Sequence, residues 1–430
     1  MVENALLLHN THWEKKKYDI PIKRHLLGKL YKRRHLKQIE VITGIRRCGK
    51  SSLLKQYINQ LSVEKDPLTI LFVNFDDPNF SFINQHPEKI HDIIQSAEKL
   101  TQRPVEYLFL DEIQSLTGWE KYIKSVYDAG KFKKICITGS NSELLSGDYA
   151  QLLSGRYLLN QMYPLSLDEV LGWYGYHHHL DLLQNKAHVL HLMEMVLKTG
   201  TFPEVIKEED PVIRHAILTS YYDSILIKDC VIRSNIREAA SIKELSWFLF
   251  NNISAPFTYN SLSRSTGIND VSIKVYLHVM QEAFLLNQVQ QFSFKLKEQI
   301  KSKRKIYTID NGLIAATSLK FTENKGKMLE NFVYAELTKM GFENIFMYND
   351  AKECDFIVKR GNNQDLYAIQ VAYSLTPFNR EREIGGLKYF RKQADVKRSI
   401  LVTFDQTEKL EDGMEVVPFY QLRSVLESDD

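Results

Sequence analysis

Cysteine is scarce in this chain: four in 430 residues, at Cys48, Cys136, Cys230 and Cys354, with no C-x-x-C pair and no zinc-ligand spacing. The pattern excludes a disulfide-rich scaffold and a zinc module, and it fits reduced thiols in a cytoplasmic protein. Long apolar runs are missing as well. No stretch approaches the roughly eighteen uncharged apolar residues of a membrane helix, and the apolar run within Met1–Lys17 is too short for a secretory signal, so a soluble chain with no membrane partner is expected. Nor is there a strong net charge: 56 Lys and Arg against 53 Asp and Glu leave +3, which names no partner by itself. Internal repeats and low-complexity segments are absent. With 44% hydrophobic and 25% charged residues, the composition rules out a disordered, collagen-like or coiled-coil chain. At about 100–200 residues per domain, the length implies two to four domains.

The charge that is present is unevenly placed. Residues 1–50 carry thirteen Lys or Arg against four acids, a local +9 that leaves −6 for the rest of the chain. Such a cluster meets the phosphates of nucleic acid or nucleotide, or it is a solvated helix; for residues 15–37 the two readings stand level.

After this leader, short apolar runs at Gln38–Thr43, Thr69–Phe75, Val105–Leu110, Lys134–Thr138 and Tyr157–Met162 alternate with helical patterns. Runs apolar at every position, such as Tyr107-Leu108-Phe109-Leu110, fit strands covered on both faces, hence a mostly parallel sheet between helices. From Pro164 to about Ile232 helical periodicity takes over, as in a helical lid. Residues 241–310 then read as a helix, a helix-turn-helix around Thr266-Gly267-Ile268-Asn269, and a hairpin (Gln288–Phe294, Ile306–Ile309) whose turn carries Lys295, Lys297, Lys301, Lys303, Arg304 and Lys305. That order is a winged helix. A helix at Met328–Met340 and strands at Ile345–Tyr348, Cys354–Val358, Tyr367–Val371 and Ser399–Val402 make a second α/β unit. The expected domains are an α/β P-loop core at 1–163, the lid at 164–235, the winged helix at 236–318 and the last unit at 319–430.

Gly44-Ile45-Arg46-Arg47-Cys48-Gly49-Lys50-Ser51 matches G-x-x-x-x-G-K-[ST] between an expected strand and helix, the context such a phosphate loop requires. Its backbone N–H groups turn inward around phosphates, Lys50 neutralises β/γ oxygens and Ser51 offers its hydroxyl to Mg²⁺; Arg46, Arg47, Cys48 and Ser52 belong to the same cradle. Downstream, the strand Tyr107–Leu110 ends in Asp111 and Glu112. Asp111 at the strand tip is placed to hold the Mg²⁺ shell and Glu112 to orient an attacking water, as hydrolysis of a nucleoside triphosphate needs. Gly139-Ser140-Asn141-Ser142 ends another strand at the ligand-binding edge, where Ser140 or Asn141 either senses the γ-phosphate or forms an ordinary polar turn. Arg156 reads, on residues alone, as a surface ion pair.

With Pro164-Leu165-Ser166, Gly200-Thr201-Phe202-Pro203-Glu204 and Leu329-Glu330-Asn331-Phe332-Val333 added to these words, the sequence resembles the AAA-type ATPases related to archaeal-type ATPases, whose ATPase core is fused to a C-terminal domain of unknown function. The resemblance implies ATP and Mg²⁺, a sensor at Ser140 or Asn141, a trans-acting arginine finger at Arg156, and oligomeric assembly, a hexamer being one form. It also implies a C-terminal unit similar to PD-(D/E)xK, restriction-endonuclease-like nucleases. That motif needs two acids and an acid-x-Lys. Glu330 and Asp355 fit the acids, but Gln370 and Ala372 stand where the acid and the lysine belong, so a nuclease-like fold that binds without cutting is expected; were the protein to cut DNA, Lys388 would be the first substitute lysine to test. His177-His178-His179 reads as a solvated loop, and Cys48 either packs or makes the loop thiol-sensitive. The function expected is ATP hydrolysis by an oligomer acting on nucleic acid, DNA above RNA; the rivals are an ATP-gated switch that binds another protein, and an active metal-dependent nuclease.

Overall fold

The computed structural model describes residues 2–140, 152–293, 295–317, 324–342, 344–360 and 365–427. The chain divides into two compact units, Met1–Leu165 and Ser166–Asp430.

In the first unit β1 (Ile39–Thr43), β2 (Ile70–Asn74), β3 (Tyr107–Asp111), β4 (Lys134–Gly139) and β5 (Tyr157–Gln161) form one sheet in the order β2-β3-β4-β1-β5. Every neighbouring pair is parallel. Each expected strand is present to within two residues, because β1, β3 and β4 are buried at all positions and can only be read as strands with helices on both faces. Leu71, Val73, Leu108, Leu110 and Ile137 of the sheet share a core with Ile93, Ile94, Trp119 and Ile123 of the Ile90–Thr101 and Trp119–Asp128 helices. The register Thr43↔Gly139 and Leu110↔Ile137 brings the carboxyl ends of β1, β3 and β4 to one edge. The residues that follow those ends, Gly44, Glu112 and Ser140, therefore share that edge.

The second unit opens with the helices Leu167–Trp173, His179–Gln184, Lys186–Thr199, Pro203–Lys207 and Pro211–Ser224, the last continuing into a π-helical stretch at Ile225–Ile232. Helices Ala239–Asn251, Tyr259–Thr266 and Asp270–Glu282 follow. Their punctuation is local: Thr258 accepts a hydrogen bond from the Ser261 N–H, Gly267 closes its helix at φ +73°, and Asn269 accepts from the Ser272 N–H. Strands β6 (Asn287–Gln290) and β7 (Arg304–Tyr307) then pair antiparallel. Their connection holds a short helix, Leu296–Lys301, rather than a simple basic turn. After the Lys325–Lys339 helix comes a mixed sheet, β12-β13-β11-β10-β9-β8, made of β8 (Asn344–Asn349), β9 (Glu353–Arg360), β10 (Asp365–Val371), β11 (Arg398–Thr403), β12 (Glu408–Lys409) and β13 (Glu415–Pro418). The two-residue β12 and four-residue β13 are too short to leave a periodic trace in the sequence. Among the described residues no helix is long and apolar enough to cross a membrane.

Candidate functional site

The chain leaves β1 through Gly44, whose φ is +155°; a Cβ there would lie 1.9 Å from the Met162 carbonyl oxygen, so no other residue fits. Arg47 (φ +70°) and Gly49 (φ +101°) turn the loop, and Lys50 opens the Lys50–Glu64 helix directly after Gly49, which offers no side chain to cap its first-turn N–H groups. Lys50 is 3% exposed. Its Nζ donates to the carbonyls of Gly44 (3.0 Å) and Ile45 (3.3 Å) and lies 3.8 Å from Glu112 Oε1. Arg46 reaches Asp76 at 3.9 Å. Cys48 is buried with its thiol against the Met162 carbonyl (3.5 Å), and burial pushes that thiol up, so it packs rather than reacts. Arg24, counted in the sequence only as part of the basic leader, braces the loop by donating to the carbonyls of Cys48 and Tyr163, each at 2.7 Å.

Asp111 and Glu112 sit at the tip of β3 on the same edge. Asp111 is fully buried; Thr138 Oγ1 donates to its Oδ1, and its Oδ2 has no protein partner. Burial, then the Glu112 charge, pushes Asp111 up to about 6, against the pull of Ser51, Thr138 and Lys50. Glu112 takes a left-handed backbone (φ +53°), and its N–H donates to Thr138 Oγ1 at 3.1 Å. Burial disfavours its charge, but Lys50, the Gln114 amide and Arg46 outweigh that and hold it below the usual carboxylate range. Gln114 Nε2 donates to Glu112 Oε2 and, at 3.4 Å, to Ser140 Oγ, while Gln114 Oε1 is buried without a partner. Thr138 and Gln114 were thus missed as site residues: one is a strand residue inside an apolar run, the other stands two places past the acidic pair.

The fold brings Gly44, Arg46, Cys48, Gly49, Lys50, Ser51, Asp111, Glu112 and Ser140 to one edge, with Ser52 half-buried in the first helical turn. Asn141 lies outside the described residues. Arg156 is at the other edge: its carbonyl accepts from the Ile39 N–H at the start of β1, about 17 Å along the strand from Gly44 at ~3.3 Å per residue. Its guanidinium pairs with Asp128 at 2.8 Å. His177, His178 and His179 are exposed, and among the described residues no group of three or more His, Cys, Asp or Glu could hold a metal ion.

One expectation for the second unit needs correction. Lys305 is not on a solvated wing: it is 3% exposed and ion-paired to Glu330 at 3.0 Å. Arg304 stacks over the Tyr259 ring, 4.8 Å from its centroid. Lys295, Lys297 and Lys303 remain exposed. Lys388 pairs with Glu411 at 3.5 Å and is not among the residues lining the cleft that holds Glu330 and Asp355.

A five-stranded parallel sheet with a glycine loop running into a helix at one strand end and an acidic pair at another gives the first unit the fold of a P-loop ATPase core. The AAA domain model matches residues 36–171, and two domains of unknown function, DUF8612 and DUF4143, match 190–325 and 325–422. The chain is 33% identical over 407 residues to the uncharacterized protein MJ1544 of Methanocaldococcus jannaschii, covering 89% of this chain and 88% of that one. To an uncharacterized protein of Haemophilus influenzae it is 31% identical over 390 residues, covering 88% and 92%. It belongs to the family of these two proteins. Among solved structures, the Walker-type ATPase PABY2304 of Pyrococcus abyssi is similar at 15% identity and a TM-score of 0.42, over 70% of this chain and 96% of that one.

Proposed function

We propose that the first unit binds and hydrolyses ATP with Mg²⁺. The observation that carries this reading is the buried, unpartnered Asp111 Oδ2 beside Ser51, Lys50 and Glu112. A bare carboxylate oxygen in a dry site costs free energy unless a ligand completes it. Asp111 and Ser51 fit Mg²⁺, which when bound supplies positive charge to the phosphate oxygens. The loop backbone and Lys50 bind the β/γ-phosphates; in the structure Lys50 rests on the loop's own carbonyls and exchanges them for phosphate oxygens. Glu112, kept ionised by Lys50 and held by Gln114, orients the attacking water and accepts its proton, while Ser140, reached by the same amide, senses the γ-phosphate. Arg156 acts only from a neighbouring subunit, since it lies at the far edge of its own sheet. Lys50→Ala should abolish binding of a fluorescent ATP analogue and Glu112→Gln should retain it; retained binding in Lys50→Ala counts against the assignment.

For the second unit we take 164–235 as the lid, 236–318 as a winged helix and 319–430 as a nuclease-like unit, acting on DNA through the exposed lysines of the β6–β7 hairpin. A second reading, an ATP-gated switch that binds protein, is favoured by the outer face of the Asp270–Glu282 helix, where Val271 and Val275 are 72% and 44% exposed. A helix that reads DNA presents polar and basic groups there. Binding of a labelled duplex at two salt concentrations separates the readings: steep salt dependence supports DNA, and no binding supports the switch.

A further inference from the structure

The second unit contains a cleft of about 680 Å³ in which the residues expected of a nuclease-like site meet. Glu330 comes from the Lys325–Lys339 helix, Glu353 and Asp355 from β9, Gln370 from β10 and Glu383 from the Arg380–Arg391 helix. A nuclease of this fold holds a divalent metal among such acids, so the question is whether these residues fit one. They do not. Lys305 enters from β7 with its side chain 4% exposed and places its ammonium 3.0 Å from Glu330 Oε1, 2.9 Å from Glu353 Oε1 and 3.6 Å from Asp355 Oδ1. Other polar atoms of the cleft also have protein partners. Tyr307 OH donates to Glu330 Oε1 at 2.5 Å, and the Val371 N–H donates to Asp355 Oδ2 at 2.9 Å. Gln370 Nε2 donates to Glu383 Oε2 at 2.8 Å, and its Oε1 accepts from the Asp355 N–H at 3.3 Å, so the amide is held between these two groups.

We propose that Lys305 is the resident cation of this cleft: its ammonium takes the place of a divalent ion among Glu330, Glu353 and Asp355 and fastens the β6–β7 hairpin to the sheet β8–β13. This is independent of nucleotide hydrolysis by the first unit. The electrostatics are those of a closed ion cluster. Burial disfavours the ammonium, but the carboxylates of Glu330, Asp355 and Glu353 more than reverse that and keep it charged. Burial, then the Glu330 charge, raises Asp355 well above the usual carboxylate range, against the pull of Lys305. A divalent ion taking the same carboxylate oxygens would have to displace this ammonium, which already occupies the point on which Glu330, Glu353 and Asp355 converge. The lysine that the strand after Gln370 lacks is therefore present, but as a counterion.

The test measures Mn²⁺ binding to the nucleotide-free full chain by electron paramagnetic resonance, comparing wild type, Asp355→Asn, Lys305→Met and the Lys305→Met/Asp355→Asn double variant. Any Mn²⁺ held at the phosphate loop is common to all four and cancels. The expected result is no difference between wild type and Asp355→Asn, one additional site at least tenfold tighter in Lys305→Met, and loss of that site in the double variant. Mn²⁺ should likewise raise the melting temperature of Lys305→Met but not that of wild type. Should Lys305→Met fail to fold even with Mn²⁺, the wild-type and Asp355→Asn pair decides: equal binding supports the proposal and Asp355-dependent binding overturns it. A folded Lys305→Met that gains no site, or Asp355-dependent cutting of DNA by the wild-type protein, also overturns it.

Discussion

Replacing Thr138 by valine removes one hydroxyl and almost no volume, which makes it the sharpest probe of how the acidic pair is held. Thr138 Oγ1 donates to Asp111 Oδ1 and accepts the Glu112 N–H at 3.1 Å, with Thr138 and Asp111 both fully buried. Valine leaves the N–H without a partner, at about 1–2 kcal/mol, and withdraws a hydrogen bond to a buried carboxylate, at about 1.5–3 kcal/mol, so a loss of about 3–4 kcal/mol is expected at pH 8. The loss is pH-dependent, and its sign is fixed. Burial and Glu112 raise Asp111 from 3.8 to about 6, so its ionisation lowers stability as pH rises through that window. The Thr138 bond favours the ionised form, hence its removal costs most above pH 6. At pH 5, where the acid is protonated, only the N–H contribution of about 1–2 kcal/mol should remain. Amide hydrogen exchange over residues 107–116 and 134–140 reads the opening free energy locally, without requiring a two-unit chain to unfold in one step. Thr138→Ser should show no pH-dependent deficit. A Thr138→Val protein with the same deficit at pH 5 and pH 8, or none at pH 8, would refute the reasoning.

Three further outcomes are expected. Lys134→Met should cost about 3–5 kcal/mol in the same exchange experiment, because Glu40 loses a buried partner at 3.1 Å, and adding Glu40→Gln should recover part of it. Mg²⁺ affinity in the absence of nucleotide, by calorimetry, should be about tenfold weaker at pH 5 than at pH 7.5, since protons compete at an Asp111 that titrates at about 6; equal affinities would remove Asp111 from the metal site. Mixing Arg156→Ala with Glu112→Gln protein should restore part of the ATPase activity that each lacks alone, and the absence of any restoration would return Arg156 to a surface ion pair with Asp128.

What could be read from the sequence was what is local in it. The phosphate loop is eight consecutive residues between a buried strand and a helix, so Gly44 to Ser51 carry their own context. Asp111 and Glu112 follow a strand buried at every position, and the three-helix order around Gly267 is marked by caps on neighbouring residues. Other functional neighbours arise only when the chain folds. Lys305 meets Glu330, Glu353 and Asp355 across 25 to 50 residues, and in a run of Lys295, Lys297, Lys301, Lys303, Arg304 and Lys305 nothing in the sequence marks Lys305 as buried. Arg24 braces the loop from a segment whose composition reads as a basic leader. Thr138 and Gln114 act through second-neighbour hydrogen bonds that strand register and a left-handed residue at Glu112 create. Gln370 reads as a degenerate ligand from its position in a motif, whereas its amide links the Asp355 backbone to Glu383.

The most direct test of the central claim is the release of phosphate from ATP by the purified wild-type chain and its Glu112→Gln variant, measured with nucleotide saturating in both. The account predicts Mg²⁺-dependent turnover in the wild type and a loss of about a hundredfold or more in Glu112→Gln, with nucleotide affinity unchanged, because the carboxylate acts on the attacking water and not on the bound phosphates. Undiminished turnover in Glu112→Gln would contradict it.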